Sequence, residues 1–137
     1  MWEKMYKPMD LLQKGLSASW QRNAVIRHNI ANVETPGFKA SVLEFESLFA
    51  KALREDVGFV GTRTHEGHRF LGTHTDIMTL QPSVTQSRTL SMRMDGNNVD
   101  IENENVRLAQ NSIYYNTLME KMNSEIRRLR LAISEGR

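Results

Sequence analysis

Cysteine is absent from these 137 residues, which excludes disulfides, thiolate metal sites and cysteine nucleophiles together. Its absence is compatible with a place outside the reducing cytoplasm and does not fix one. No stretch approaches the roughly 18 uncharged apolar residues that would span a bilayer, so no membrane span is expected. The opening Met1-Trp2-Glu3-Lys4-Met5-Tyr6-Lys7-Pro8 lacks the apolar run of a secretory signal. Export, where it occurs, is expected without a cleaved Sec-type leader. Charge of one sign is missing too: 18 Lys and Arg stand against 16 Asp and Glu, an excess too small to argue for nucleic acid. There is no Gly-x-x-x-x-Gly-Lys loop and no Gly-x-Ser-x-Gly elbow, so enzyme chemistry finds no foothold and no cofactor is implied.

What the chain does have is rhythm at both ends. Near the N-terminus it runs Met5, Met9, Leu12, Leu16, Ser19, Asn23, Ile26, Ile30, Val33. Near the C-terminus it runs Ile101, Asn105, Leu108, Ser112, Tyr115, Met119, Met122, Ile126, Leu129, Ile133. Alternating steps of three and four place one stripe along each helix, the repeat of a coiled coil. The spacing predicts a first helix from near Pro8, or slightly earlier with Pro8 in its first turn, to about Asn32. A second should follow Asp100 as N-cap, with Glu102 and Glu104 in its first turn and Arg127, Arg128 and Arg130 as last-turn cations before Gly136. At ~1.5 Å per residue these are rods of roughly 38 and 50 Å, and their stripes meet only if the chain folds back. The expected fold is therefore mainly α, an antiparallel coiled-coil hairpin of residues 1–34 and 100–137. Residues 35–99 are expected to hold a turn, a short helix and a partly disordered or short-stranded middle. The seam expected from this pattern comprises Met9, Leu12, Leu16, Ile26 and Ile30 against Leu108, Tyr115, Met119, Met122, Ile126, Leu129 and Ile133.

Between the helices, Glu34-Thr35-Pro36-Gly37 is a stop and turn. Ser41-Val42-Leu43-Glu44 fits a capping box, followed by Phe45, Leu48, Phe49, Ala52 and Leu53 on one helical face. From about Asp56 to Met94 the pattern dissolves among Gly58, Gly61, Gly67 and Gly72, with brief strands conceivable at Ser83–Gln86 and Leu90–Met94. A stretch this long is expected to be ordered by neighbours. His65, His68 and His74, with Glu66 and Asp76, invite a metal reading, but the spacing is not His-Glu-x-x-His and no predicted helix orients it, so no metal is expected. Asp95-Gly96-Asn97-Asn98 is a turn, with its glycine second rather than sixth as a calcium loop needs. Apolar residues off the stripes, among them Trp20, Val25, Val106, Ile113, Tyr114 and Leu131, exceed what a two-helix hairpin covers and imply partner helices.

Two segments carry a family resemblance. Asn29-Ile30-Ala31-Asn32-Val33-Glu34-Thr35-Pro36-Gly37-Phe38-Lys39 resembles the N-terminal signature of bacterial flagellar rod and hook axial proteins. Asp95-Gly96-Asn97-Asn98-Val99-Asp100-Ile101-Glu102-Asn103-Glu104 is similar to the entry to the final helix in that family's proximal-rod members. Thr64-His65-Glu66-Gly67-His68 and Leu129–Gly136 are similar to elements of the same subgroup. The resemblance implies a structural, non-enzymatic subunit of the basal-body rod, with Asn29, Ile30, Ala31, Asn32, Thr35, Pro36, Gly37, Phe38, Lys39, Asp95, Gly96, Asn97, Val99 and Asp100 as family motif residues. It further implies type III export, a periplasmic location, and partners that are copies of the chain, other rod proteins, rod-base adaptors and export-gate proteins. The alternative from residues alone is a helical DNA-binding dimer.

Overall fold

A computed structural model describes residues 2–50, 65, 79–87, 91 and 93–135. Helix α1 spans Trp2–Ala31, strand β1 Ser41–Glu44, helix α2 is described over 46–50, strand β2 spans Ser83–Gln86 and helix α3 Ile101–Glu135. The chain divides into two compact units, residues 1–43 with 84–137, and residues 44–83. In the first unit, α1 and α3 pack together as the two arms of a hairpin. In the second, Phe45 O accepts from Phe49 N (2.8 Å) at the start of α2, and the two rings stack at 5.5 Å.

At 30 and 35 residues, the helices are roughly 45 and 52 Å long. Helix α1 takes Pro8 into its interior rather than its first turn. Pro8 forfeits one backbone bond and crowds the carbonyl four residues before it, yet helix continues on both sides. Chain direction follows from three cross-seam neighbours. A Cβ on Gly15 would lie 3.3 Å from Leu118 Cδ1, Ser19 bonds Asn111, and Asn29 bonds Glu104. Numbers rise on one helix as they fall on the other, so the arms are antiparallel.

The seam follows a heptad on each arm, and half of it lies one residue from the most apolar phase. On α1 the inward column is Leu12, Gly15, Ser19, Arg22, Ile26 and Asn29, continued by Val33 in the turn after it. On α3 it is Glu104, Leu108, Asn111, Tyr115, Leu118, Met122, Glu125 and Leu129. Of the residues expected at the seam, Ile26 is buried, and Met9, Leu12, Leu16, Ile30, Leu108, Tyr115, Met122 and Leu129 are half-buried. Met119, Ile126 and Ile133 are exposed. Buried polar side chains stand in alternate places, each with a partner: among the described residues no buried side-chain N or O lacks a hydrogen bond. Such residues fix register, because a slip would strand them in an apolar seam.

Other expectations change. Ser41–Glu44 is a strand and not a capping box. The peptide groups of Ala40 and Ser41 are already engaged, Ala40 O by Ser87 N at 2.7 Å and Ser41 by Asn29, which holds the chain extended until Phe45. Ser83–Gln86 forms β2 beside β1. Ser91, Arg93 and Met94 are not in a strand, and Arg93–Gly96 turns back with Gly96 N bonded to Arg93 O. No basic residue lies in the last turn of α3, and Arg128 instead bonds Glu125 one turn before it. Ala52, Leu53, Gly58, Gly61, Thr64, Glu66, Gly67, His68, Gly72, His74, Asp76, Leu90 and Gly136 lie outside the described residues.

Candidate functional site

The two motif segments meet at the end of the hairpin where α1 stops and α3 starts. Helix α1 is closed by backbone bonds one residue tighter than helical, Asn32 N to Asn29 O (3.1 Å) and Val33 N to Ile30 O (3.3 Å). Asn32 Nδ2 donates back to His28 O (2.8 Å), and its Oδ1 accepts from Thr35 Oγ1 (3.2 Å). Gly37 then adopts φ 71° and Gly96, across from it, φ 76°. Side-chain-bearing residues avoid that region, so each of these turns needs a glycine. The turns are joined directly: Gly37 N donates to Asp95 O (2.8 Å) and Lys39 Nζ to Gly96 O (2.7 Å). Phe38 leaves the turn with its ring 5.5 Å from that of His28, in a tilted arrangement.

Asn97 is the hub of this clasp and is fully buried. Its Nδ2 group donates to the carbonyls of Asn32, Val33 and Thr35, each at 2.9 Å, which caps the end of α1 from a distant segment. Two hydrogens shared among three acceptors make at least one bond three-centred. Its Oδ1 accepts from Val99 N (2.7 Å), and its own N–H donates to Asp95 Oδ1 (3.0 Å), so two local side-chain turns shape the loop. Ser91 Oγ donates to Asn97 O, and Arg93 adds Nη1 to Val33 O (3.0 Å) and Nη2 to Asp95 Oδ2 (3.0 Å). Asn98 Oδ1 accepts from Ala40 N (2.7 Å), while its Nδ2 donates to Ser87 O (3.3 Å). Asp100 caps α3, its Oδ1 accepting from Glu102 N (3.0 Å) and Asn103 N (3.3 Å).

Asn29 is the second fully buried hub. Its Nδ2 donates to Ser41 O (2.8 Å) and Glu104 Oε2 (3.1 Å), and its Oδ1 accepts from Ser41 N (2.9 Å). The amide thus pairs with β1 as a neighbouring peptide would. Glu104 is buried, with Oε1 held by Arg107 Nη1 at 2.9 Å. Two turns further along, Ser19 Oγ donates to Asn111 Oδ1 (3.0 Å) and Asn111 Nδ2 to Ser19 O (2.9 Å).

Of the expected motif residues, Asn29, Asn32, Thr35, Gly37, Phe38, Lys39, Asp95, Gly96, Asn97, Val99 and Asp100 all take part in or border this network. Ile30 is half-buried, and Ala31 and Pro36 are exposed. Sequence reasoning placed Ser91 and Arg93 only in a candidate strand and Glu104 only among the first-turn acids of the last helix, and it did not single out Asn111. Two asparagine-rich motifs at the joined ends of antiparallel helices were the available signal, since such segments must be neighbours. Among the described residues no cluster of three or more His, Asp or Glu is placed to hold a metal, and the clasp's polar atoms are spent on one another. Mechanical fastening is the chemistry this arrangement performs.

The fold and the site together define a paired-helix hairpin fastened by buried polar bonds. No family model matches the chain, but curated relatives do. It is 32% identical over 127 residues to the flagellar basal body rod protein FlgB of Bacillus subtilis strain 168, covering 92% of each chain. To the protein of the same name from Aeromonas hydrophila it is 35% identical over 120 residues, 88% of this chain and 87% of that one. The Borreliella burgdorferi FlgB is 32% identical over 114 residues, 82% and 84% of the two chains. The chain belongs to the FlgB family of flagellar basal-body rod proteins. That family is a structural component of the rod rather than an enzyme family by name. No helix among the described residues is long and apolar enough to cross a membrane. The DNA-binding alternative gains nothing, and Lys121 and Arg128 of α3 are both engaged with Glu125.

Proposed function

We propose that this chain is a self-assembling subunit of the proximal rod, joining other rod proteins in the drive shaft that crosses the periplasm and serves motility. One structural observation carries the reading: both helices and both motif segments are spent on a single fastened hairpin, while large apolar side chains remain outside it. Trp20 is 68% exposed and Ile113 68%, on the outer faces of α1 and α3. Apolar surface of this kind is what a subunit offers to neighbours. Rod-base adaptor and export-gate proteins below, and further rod proteins above, are the proposed partners, and the route outward is the flagellar type III apparatus without a cleaved signal peptide.

A strain lacking the chain tests the proposal. Its cells are expected not to swim, and purified basal bodies are expected to lack a rod. Intact rods in that strain would end it. Export is tested by N-terminal sequencing of the chain recovered from basal bodies, which is expected to begin at or next to Met1.

A further inference from the structure

The clasp end carries an open groove of about 670 Å³, a size that accepts a cluster of side chains. Val33, Val42, Val99 and Ile101 are its apolar lining, and Asp100 and Glu102 are acids of the same lining. Arg93 and Arg107 also line it, but they are held by Asp95 at 3.0 Å and Glu104 at 2.9 Å. With those two pairs counted as neutral, Asp100 and Glu102 leave the lining net negative beside two half-exposed guanidiniums.

The other end of α3 has the matching character. Ile126, Arg130 and Ile133 stand at i, i+4 and i+7, one stripe on the helix surface. All three are exposed, Ile133 at 72%. Glu125, next to Ile126, is taken by Lys121 and Arg128. The stripe is thus apolar, basic, apolar, complementary to the groove in both respects. It cannot reach its own groove, because Ile101 and Ile133 are roughly 48 Å apart along one helix.

The geometry points to a head-to-tail contact between copies, in which the Ile126–Arg130–Ile133 stripe of one chain seats in the clasp-end groove of the next, with Arg130 beside Asp100 and Glu102. Groove and stripe are different surfaces, so the contact is heterologous and repeats without closing on itself unless a rotation forms a ring. This rests on the assembly reading above and adds to it a surface and a polarity.

The chain has no cysteine, which makes disulfide mapping direct. The full-length double variant Val42→Cys, Ile133→Cys, oxidised at concentrations where sedimentation shows association, is expected to give a ladder of dimer, trimer and beyond. Each single variant alone should stay monomeric, and a mixture of the two singles should stop at dimer. Ile101→Cys replaces Val42→Cys if the latter loses its helical circular-dichroism signal. Glu102→Lys is expected to weaken association roughly fivefold, as loss of an exposed charge pair predicts, and Arg130→Glu in the same chain to restore it.

Disulfide dimers of Ile133→Cys alone, association without either groove-to-stripe disulfide, or no association at all would each overturn the contact. So would a groove cysteine that cross-links in cells to another protein and never to position 133. The two readings fail separately. Rodless basal bodies in the deletion strain with no ladder leave the rod reading standing and remove the contact. A ladder together with intact rods does the reverse.

Discussion

Asn97 closes α1 although it lies more than 60 residues away from it, its Nδ2 meeting Asn32 O and Thr35 O at sequence separations of 65 and 62. Asn97→Ala would take one donor from each of three carbonyls, which keep Thr35 N, Arg93 Nη1 and Phe38 N, and would leave Val99 N short of an acceptor. It is expected to cost roughly 2–3 kcal/mol, read as a lowered midpoint in thermal unfolding. Asn97→Asp keeps the acceptor for Val99 N but turns an oxygen toward the three carbonyls, so it should destabilise at least as much as alanine at neutral pH. Asn29 allows a sharper test. Asn29→Asp sets a carboxylate against Glu104, whose Oε2 lies 3.1 Å from the present amide nitrogen. The substitution should be strongly destabilising at pH 7, and Glu104→Gln in the same chain should recover part of the loss. A double-mutant cycle showing no coupling between the two positions would contradict the geometry. None of these roles was legible residue by residue. The motifs marked Asn29 and Asn97 as special, but the partners that explain them come from segments that only the fold brings together.

At the level of helices, the 3-4 rhythm gave the right elements, the right direction and half of each seam column. Leu12, Ser19 and Ile26 on α1 with Val33 just after it, and Leu108, Tyr115, Met122 and Leu129 on α3, sit on both the expected and the observed columns. The other half moves by one position, from Ile30 to Asn29, from Ser112 to Asn111, from Ile126 to Glu125. Choosing the apolar residue at each step is sound where water is the alternative, and it misleads where a cross-seam hydrogen bond is on offer. The strand at Ser41–Glu44 escaped for a related reason, since its capping-box residues are those of a helix start and only Asn29 and Ser87 show why they are extended. The Ser19–Asn111 pair carries a further prediction. Asn111→Ala should cost about 1–3 kcal/mol, because Ser19 loses its partner in a buried place. Replacing both, as Ser19→Ala with Asn111→Leu, should recover stability yet weaken preference for one register, measurable by spin-label distances between α1 and α3. Gly15→Leu should be worse than either, at roughly 2 kcal/mol or more, since a Cβ alone would already press on Leu118.

For the molecule as a whole, the seam and clasp belong to one compact unit that holds both ends of the sequence together. Shortening α3 after Leu129 removes the exposed Leu131 and Ile133 and none of the clasp. The shortened chain is expected to keep its helical signal and lose only a few degrees of melting temperature, on the order of 1 kcal/mol. Motility restored by that chain to a deletion strain would contradict the assembly proposal, and its absence despite a folded product is the expected result. Composition excluded cysteine chemistry and a membrane-spanning helix at the outset, and the motifs pointed to the family. The pairing between motifs needed coordinates.

Asn29 bonds both the N–H and the C=O of Ser41, and two bonds to the two peptide groups flanking one residue restrain orientation as well as distance. A single tether would let β1 swivel while α1 turned beneath it. With both bonds in place, twisting α1 about its long axis must swing β1 along an arc, bypassing the loop from 32 to 40. Torsion applied to the helix is thereby carried into the strand instead of being absorbed as slack, and one asparagine amide makes the hairpin behave as a crank.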